Sequence, residues 1–192
     1  MPESTGPVTS KWKQRRTLLI LIAVFFAPLA AAFILYYGMG WRPAGGSNHG
    51  ELLDPIKALP ADAAPLAGKW ALVYVGSGTC AEETCRHALW VARQTRLALN
   101  QEMDRVNRAL LAVENCCDLT FVDREHPGIK VFDVSAPELR AELLGLLPAG
   151  DPSPYLFIVD PRGNIVMRFD TREEPRGLLD DMKKLLKLSH IG

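Results

Sequence analysis

The sequence lacks the patterns that mark several common classes of enzyme and binding protein. It has no Gly-rich phosphate-binding loop, no grouping of Ser, His and Asp suited to nucleophilic catalysis, and no zinc-finger spacing among its 4 cysteines and 4 histidines. It carries no net charge, and no internal repeat is visible. These absences argue against a phosphate-loop nucleotide-binding protein, a triad hydrolase, a zinc finger and a repeat protein.

Charge is also missing from one long stretch, which runs from Thr17 to Trp41. About 20 apolar residues cross a bilayer core, so this run predicts a transmembrane anchor over residues 17–40. The alternative is a cleaved signal peptide with a weak cleavage site at Leu29–Ala32. The apolar run continues past that site through Phe33–Tyr37, which favours an uncleaved anchor.

The charges on either side of the anchor predict its orientation. Four basic residues and one acidic residue lie in residues 1–16, so this end carries +3 and the remainder of the neutral chain carries −3. The positive-inside rule places the N-terminus in the cytoplasm and the C-terminal domain outside it. This topology is typical of a bacterial inner-membrane protein with a periplasmic domain. It makes membrane lipid an expected partner, and the acidic outer part argues against nucleic acid.

The rest of the chain divides into a linker and one folded domain. Residues 41–68 are rich in proline and glycine, which predicts a linker whose later part begins to pack on the domain. Residues 69–192 alternate between strand and helix patterns in the order β-α-β-α-β-α-β-β-α. Strand–helix–strand units imply parallel pairing, and a late hairpin over 155–160 and 164–169 adds antiparallel strands.

Two cysteines lie where the first strand of this domain gives way to its first helix. Trp70–Val75 is an apolar strand pattern, Cys80 follows it, and Cys85 lies in a helical pattern over Glu83–Leu99. A thiol near a helix N-terminus loses its proton more easily, and the thiolate is both a nucleophile and a metal ligand. This layout predicts an exposed attacking sulfur on Cys80 and a sheltered resolving sulfur on Cys85. A purely structural disulfide is the alternative.

The other two cysteines, Cys116 and Cys117, follow the second strand pattern of the domain. If the first two strands are parallel neighbours, their C-terminal ends meet at one edge of the sheet, and Cys116–Cys117 open onto the same edge as Cys80. They are candidate additional ligands there. The alternative is a buried small apolar residue beside an incidental one.

Two segments carry a resemblance to known proteins. "LAGKWALVYVGSGTCAEETC" resembles the strand and cysteine-pair opening of Sco/SenC proteins, which are membrane-anchored, thioredoxin-like factors that help assemble the copper site of cytochrome c oxidase. "PYLFIVDPRGNIVMRF" resembles the hairpin of the same group and of the TlpA/ResA thioredoxin-like reductases. The resemblance implies an α/β fold: a thioredoxin-like domain, with a central mixed sheet flanked by helices, behind one N-terminal transmembrane helix.

The chain departs from the Sco/SenC pattern at two places. Four residues separate Cys80 from Cys85, where Sco proteins have three and thioredoxins two. The segment before the hairpin, "AGDPSPYLF", contains no histidine, so a copper site of two cysteines and one histidine cannot be carried over intact. His87, His126 and His49 are the substitute ligands that we nominate, and a solvated surface histidine is the alternative for all three.

Pro154 lies where thioredoxins place a cis-proline that faces the cysteines, and we predict the same role for it here.

These observations predict three functions. The first is a Sco-like accessory factor for respiratory cytochrome c oxidase assembly, which acts by thiol–disulfide chemistry or transient Cu(I) binding at Cys80 and Cys85. Its expected partners are an oxidase subunit or other assembly factors. The second is a TlpA/ResA-like thiol–disulfide oxidoreductase, and the third is a non-catalytic thioredoxin-like scaffold with a structural disulfide.

Overall fold

The computed structural model describes residues 11–38, 48–60, 66, 68–116 and 119–189. The chain forms two units, one of residues 1–46 and one of residues 47–192. The first unit contains the helix α1, which spans Lys11–Phe33 and continues as a π-helical turn at Ile34–Gly38.

Helix α1 is long and apolar enough to cross a bilayer from Trp12 to Phe33, and it is the one such helix in the part of the chain that the structure describes. At ~1.5 Å per residue its 22 residues extend about 33 Å, close to the thickness of a hydrocarbon core. The helix begins six residues before the predicted start of the anchor at residue 17, so basic residues occupy its first turns. It fits a single-pass membrane protein.

The second unit is built around one sheet. Its strands are β1 (Glu51–Ala58), β2 (Trp70–Ser77), β3 (Val106–Glu114), β4 (Lys130–Asp133), β5 (Tyr155–Val159) and β6 (Asn164–Asp170). Its helices are α2 (Glu83–Ala98), α3 (Thr120–Glu125), α4 (Pro137–Leu146) and α5 (Pro175–Leu188), with a 3-10 turn at Asn100–Arg105. From β2 to α5, the strands and helices follow the order that the sequence predicted.

The six strands lie in the order β1-β6-β5-β2-β3-β4. The pairs β2–β3 and β3–β4 are parallel, while β2–β5, β5–β6 and β1–β6 are antiparallel. The mixed sheet is therefore the predicted one, with parallel crossovers at one side and the hairpin at the other. Strand β2 is central, which places its C-terminal end in the middle of the sheet edge.

The apolar side chains of β2 alternate between two cores, as the two-residue period of a strand requires. Leu72 and Tyr74 belong to a buried cluster with side chains of α2, α3 and α5. Ala71, Val73 and Val75 belong to a second cluster with side chains of α4. Because both faces of β2 are buried, its sequence reads as a continuous apolar run.

Strand β1 lies inside the segment that the sequence predicted as linker. It pairs with β6 at the edge of the sheet, so the second unit begins near Ser47 and not at residue 69. The sequence pattern did not predict this strand because it contains a proline at position 55 and its residues are mostly exposed. Within sheets, proline is confined to edges and bulges. The Asp54–Pro55 peptide bond is cis, and the register shifts between Leu52 and Lys57.

A buried carboxylate fixes the chain where it enters β1. Asp181, on α5, is 1% exposed. It accepts hydrogen bonds from the backbone N–H of His49, at 2.8 and 3.1 Å, and of Gly50, at 2.8 Å. Its nearest cation, Lys184 Nζ, lies 3.8 Å away. The carboxylate therefore satisfies two backbone donors that belong to no strand ladder.

We expect Asp181→Ala to lower the free energy of unfolding by about 2–4 kcal/mol, because it leaves buried N–H groups without acceptors. For a unit of this size the melting temperature should fall by roughly 5–15 °C. The measurement is thermal unfolding of the full-length protein in detergent, followed by circular dichroism. Asp180→Ala, at the neighbouring and less buried position, is the matched control. An equal shift in both variants would contradict the anchoring role.

Candidate functional site

Cys80 and Cys85 form a disulfide at the junction of β2 and α2, with their Cα atoms 5.3 Å apart. This confirms that the pair lies close enough to bond, as the sequence predicted. The start of α2 at Glu83, just after Cys80, is likewise as predicted.

Two glycines allow the backbone to make this junction. A Cβ on Gly76 would lie 2.6 Å from the ring of Tyr74. A Cβ on Gly78 would lie 2.9 Å from the carbonyl oxygen of Asn115 and 3.0 Å from the Cα of Cys116. Any larger residue at position 78 would push the end of β2 away from the loop after β3. Glycine therefore sets the close approach of these two chain segments.

The backbone of Cys80 adopts a left-handed conformation, with φ = +48°. Such values are uncommon for residues other than glycine and mark functional or constrained positions. Its N–H donates to the carbonyl of Ser77 at 3.2 Å, and its own carbonyl accepts from Nε of Arg86 at 3.3 Å. The Arg86 guanidinium lies 5.0 Å from the ring centre of Phe121. These contacts hold Cys80 at the start of the turn that leads into α2.

Cys85 lies in the first turn of α2, where backbone N–H groups have no partner within the helix. No side chain caps this end of the helix. A thiolate on Cys85 would therefore face unpaired donors and the positive end of the helix dipole, both of which stabilise it. Of the two sulfurs, that of Cys85 is the better leaving group when the disulfide opens.

The predicted difference in exposure between the two cysteines is wrong. Cys80 is 0% exposed and Cys85 is 2% exposed. Both belong to the core cluster that includes Tyr74 and Leu89. Cys80 was expected at the surface because it lies in a loop, but the ends of neighbouring segments cover that loop. A partner therefore reaches the sulfurs by inserting a chain segment into the groove that lies over them.

A groove of about 350 Å³ lies over the disulfide. The ends of β2 and β3, the start of α2, part of α4 and the loop of residues 151–153 form its walls. Its charged lining residues are Glu82, Glu114, Asp151 and Arg140, which sequence reasoning did not single out. They are far apart in the sequence, so only the fold reveals them as a group.

The electrostatics of the groove follow from these side chains. Arg140 Nη2 lies 3.9 Å from a carboxylate oxygen of Glu114. The Ser153 hydroxyl and backbone N–H donate to Asp151 at 2.6 and 2.9 Å, and these bonds lower the pKa of that carboxyl. Burial raises the pKa of the Tyr74 phenol, and the charges of Glu82 and Asp151 add to the effect. Tyr74 therefore stays protonated beside the disulfide at neutral pH.

The predicted cis bond before Pro154 is wrong. Among the described residues the cis peptide bond is Asp54–Pro55. The carbonyl of Pro154 accepts from the N–H of Thr171 at 2.8 Å and from its Oγ1 at 2.9 Å, so it ties the start of β5 to the end of β6. Pro152 and Ser153 line the groove instead. The loop that faces the cysteines is thus two residues earlier than predicted.

Cys116 lies beside the disulfide loop, as the parallel pairing of β2 and β3 predicted. It is half-buried and is itself disulfide-bonded. Cys117 lies outside the described residues. The role of either residue as a metal ligand stays a prediction.

His87 is engaged elsewhere on the molecule. Its Nε2 lies 2.9 Å from the carbonyl oxygen of Thr171, and its ring stacks on Trp90 with ring centres 5.9 Å apart. It lines a second depression, together with His126, and not the groove over the disulfide. His49 lies at the entry to β1, against Gly177. None of the three histidines lines the cysteine groove.

The side chains that line the groove do not form a copper site of two cysteines and one histidine. Cu(I) prefers soft thiolate donors, and the groove provides two sulfurs together with the hard carboxylates of Glu82 and Asp151. In the residues that the structure describes, no group of three or more His, Cys, Asp or Glu side chains is arranged to hold a metal ion.

The fold and the position of the disulfide define a thioredoxin-like domain, with the cysteines at the first strand–helix junction after the central strand. The family described as "Transmembrane-like, thioredoxin-like, C-terminal domain" matches residues 70–189, and the chain belongs to this family. No curated protein of similar sequence was found.

Solved structures with a similar fold include several Sco proteins. Copper-bound Sco1 from yeast is 16% identical, with a TM-score of 0.54, over 64% of this chain and 80% of that protein. Apo Sco1 from Thermus thermophilus is 18% identical, with a TM-score of 0.54, over 74% and 99% of the two chains. Copper-bound ScoI from Arabidopsis thaliana is 16% identical, with a TM-score of 0.50, over 65% and 88%. The predicted resemblance to Sco/SenC proteins is confirmed for the fold.

Proposed function

We propose that this protein is a membrane-anchored thiol–disulfide exchange factor that acts through Cys80 and Cys85. The observation that carries the proposal is the disulfide between them at the N-terminus of α2, on the floor of a groove that a chain segment can enter. A disulfide that only stabilises the fold requires neither a groove above it nor a helix N-terminus that stabilises one of its thiolates.

The exchange proceeds in two steps that balance electrons and protons. A thiolate of the partner attacks the sulfur of Cys80, the Cys80–Cys85 bond breaks, and Cys85 leaves as a thiolate facing the first turn of α2. A second thiolate of the partner then attacks the mixed disulfide and releases Cys80. The partner loses two electrons and the protein gains them, while the two protons of the partner thiols pass to solvent or to the cysteines. The reverse sequence reduces a partner disulfide.

The partner that we propose belongs to the assembly of a respiratory cytochrome c oxidase. Support for this client comes from the Sco/SenC-like opening and hairpin of the chain. Carriage of Cu(I) as cargo is the second candidate function, because reduction of Cys80–Cys85 leaves two soft donors close together. The absence of a third soft donor among the described groove residues favours thiol–disulfide exchange over copper delivery.

The reduction potential of Cys80–Cys85 tests the proposal. Exchange factors have potentials near those of cellular thiol systems, whereas structural disulfides of secreted proteins lie below about −300 mV. A potential in the lower range would remove the functional role and leave a scaffold.

The location that we propose is the bacterial inner membrane, with the N-terminus in the cytoplasm and the disulfide domain in the periplasm. The basic residues in the first turns of α1 support this orientation. We expect alkaline phosphatase fused after Gly192 to be active, and a reporter that works only in the cytoplasm to be inactive there. The reverse pattern would contradict the orientation. Recovery of a shortened, soluble periplasmic form would show cleavage in place of anchoring.

A further inference from the structure

The walls of the groove over the disulfide carry an excess of negative charge. Glu82, Glu114 and Asp151 contribute three carboxylates, and Arg140 contributes the one guanidinium among the groove-lining residues. Arg140 lies near Glu114, and no further cation is among the described residues that line the groove. Arg86, whose Nε donates to the carbonyl of Cys80, lines the neighbouring depression. All four side chains are exposed at the rim, so an entering partner meets them before it reaches the sulfurs.

The field of these carboxylates reaches the floor of the groove. Tyr74 lies on the floor and is 1% exposed, and Glu82 and Asp151 both make ionisation of its phenol less favourable. Asp151 keeps its charge over a wide pH range because Ser153 donates two hydrogen bonds to it. The two carboxylates therefore act on any charge placed next to the disulfide, and not only on the outer surface.

The shape of the groove limits what can enter. Its volume of about 350 Å³ accommodates a few side chains of an extended segment, but not a folded domain. Its apolar lining residues Val75, Val113 and Leu144 provide contact surface for the aliphatic part of a long side chain. Lysine and arginine combine an aliphatic stem with a cationic end, so they match both features of the walls.

We infer that the groove selects partner segments that carry lysine or arginine next to the reacting cysteine. The inference rests on the proposed function, since it concerns the partner of the same disulfide. The cation lies between Glu82 and Asp151 while the thiolate of the partner approaches the sulfur of Cys80. An acidic segment is repelled by the same two carboxylates, so the groove also discriminates against it.

The experiment measures mixed-disulfide formation between the oxidised full-length protein, in a non-ionic detergent, and three short peptides. The peptides share one cysteine and differ in its two neighbours, which are both lysine, both glutamine or both glutamate. Flanking charges also change the reactivity of the peptide thiol, so each rate is divided by the rate of the same peptide with hydroxyethyl disulfide, a neutral reagent. Acid quenching and mass spectrometry give the rates at pH 7.

We expect the normalised rate of the lysine peptide to exceed that of the glutamate peptide by about tenfold at low salt. The ratio should approach one at about 1 M salt. Glu82→Gln/Asp151→Asn should lower the low-salt ratio at least threefold, and Asn at position 151 still accepts hydrogen bonds from Ser153. Glu102→Gln/Asp104→Asn is the matched control: it removes two exposed carboxylates at the opposite end of β3, and the ratio should stay unchanged.

Equal normalised rates for the three peptides at low salt would overturn the inference and leave the exchange function intact. A ratio that persists in Glu82→Gln/Asp151→Asn would overturn it as well, because the selectivity would then arise elsewhere. If no peptide forms a mixed disulfide while all react with hydroxyethyl disulfide, the proposed function fails and the inference fails with it.

Discussion

Replacing Cys85 with serine is expected to turn this protein into a trap for its partners. In the reduced variant the thiolate of Cys80 attacks a partner disulfide, and no second thiol is present to resolve the product. The mixed disulfide should accumulate as a covalent complex at least tenfold above the wild-type level. Cys80→Ser should yield no such complex, since Cys85 is fixed in the first turn of α2 and cannot reach out of the groove.

The assignment of roles rests on the backbone position of each cysteine and not on exposure. Both sulfurs are buried in the oxidised protein, so neither is favoured as the attacking group by accessibility alone. Cys80, however, lies in the turn before α2, where one hydrogen bond to the carbonyl of Ser77 and one from Arg86 hold its backbone. Cys85 is held by the hydrogen bonds of α2. We therefore expect Cys80 to move more readily than Cys85 once the disulfide is broken.

The measurement is non-reducing electrophoresis of each affinity-purified variant from cells whose thiols are blocked by acid and alkylation at lysis. Cys80→Ser/Cys85→Ser serves as the control for disulfides made through Cys116 and Cys117. Complexes of equal yield from both single variants would contradict distinct roles for the two cysteines. The identity of the trapped protein tests the proposed client directly: an oxidase subunit or assembly factor supports it, and an unrelated protein contradicts it.

Cu(I) is expected to bind the reduced protein only weakly, and only through Cys80 and Cys85. Two thiolates provide a two-coordinate site, and the other charged lining residues of the groove are carboxylates and an arginine, which suit Cu(I) poorly. Loss of one of the two sulfurs should therefore lower the affinity at least 100-fold. The measurement is anaerobic titration of the reduced protein against a competing Cu(I) chelator.

The controls for this titration separate the possible ligands. Cys80→Ser should abolish competition with the chelator, whereas Cys116→Ser/Cys117→Ser and His87→Ala should leave it unchanged. Tight binding that survives Cys80→Ser would place the metal elsewhere. A large loss in Cys116→Ser/Cys117→Ser would establish a site of more than two thiolates and favour copper delivery as the function.

The features that the sequence predicts best are those encoded by local patterns. The apolar run of β2, the turn at Asp160–Gly163 and the small residues before Cys80 are each confined to a few neighbouring positions. They determine the order of the elements and place the cysteine pair at the strand–helix junction, and the structure agrees on both points. Parallel pairing of β2 and β3 follows from the connection between them, which brings Cys116 next to Gly78.

The features that were missed depend on contacts between distant segments. Cys80 is buried because segments from elsewhere in the chain pack around its loop. The sequence of the loop alone does not reveal this packing. Strand β1 contains a proline and no buried residue, so its pairing with β6 is visible only in the folded sheet. Glu82, Glu114 and Asp151 meet at one groove although more than 30 residues separate each from the next along the chain.

Pro154 illustrates the limit of carrying a position over from a family. The resemblance of the hairpin is confirmed by the strands β5 and β6, yet the bond before this proline is trans and its carbonyl anchors Thr171. The residues that face the disulfide are Pro152 and Ser153, in a loop that also supplies Asp151. The hydrogen bonds of Asp151 with Ser153 stabilise the local conformation of this loop.

The central claim is that Cys80–Cys85 is a redox-active disulfide, and its reduction potential is the most direct test. The full-length protein is equilibrated in detergent with defined ratios of oxidised and reduced dithiothreitol and glutathione, the thiols are alkylated, and mass spectrometry of the peptide that contains both cysteines gives the fraction reduced. We expect a potential between about −120 and −270 mV, the range of proteins that exchange disulfides with clients. A potential below about −300 mV, at which cellular thiol systems would leave the bond intact, would contradict the claim.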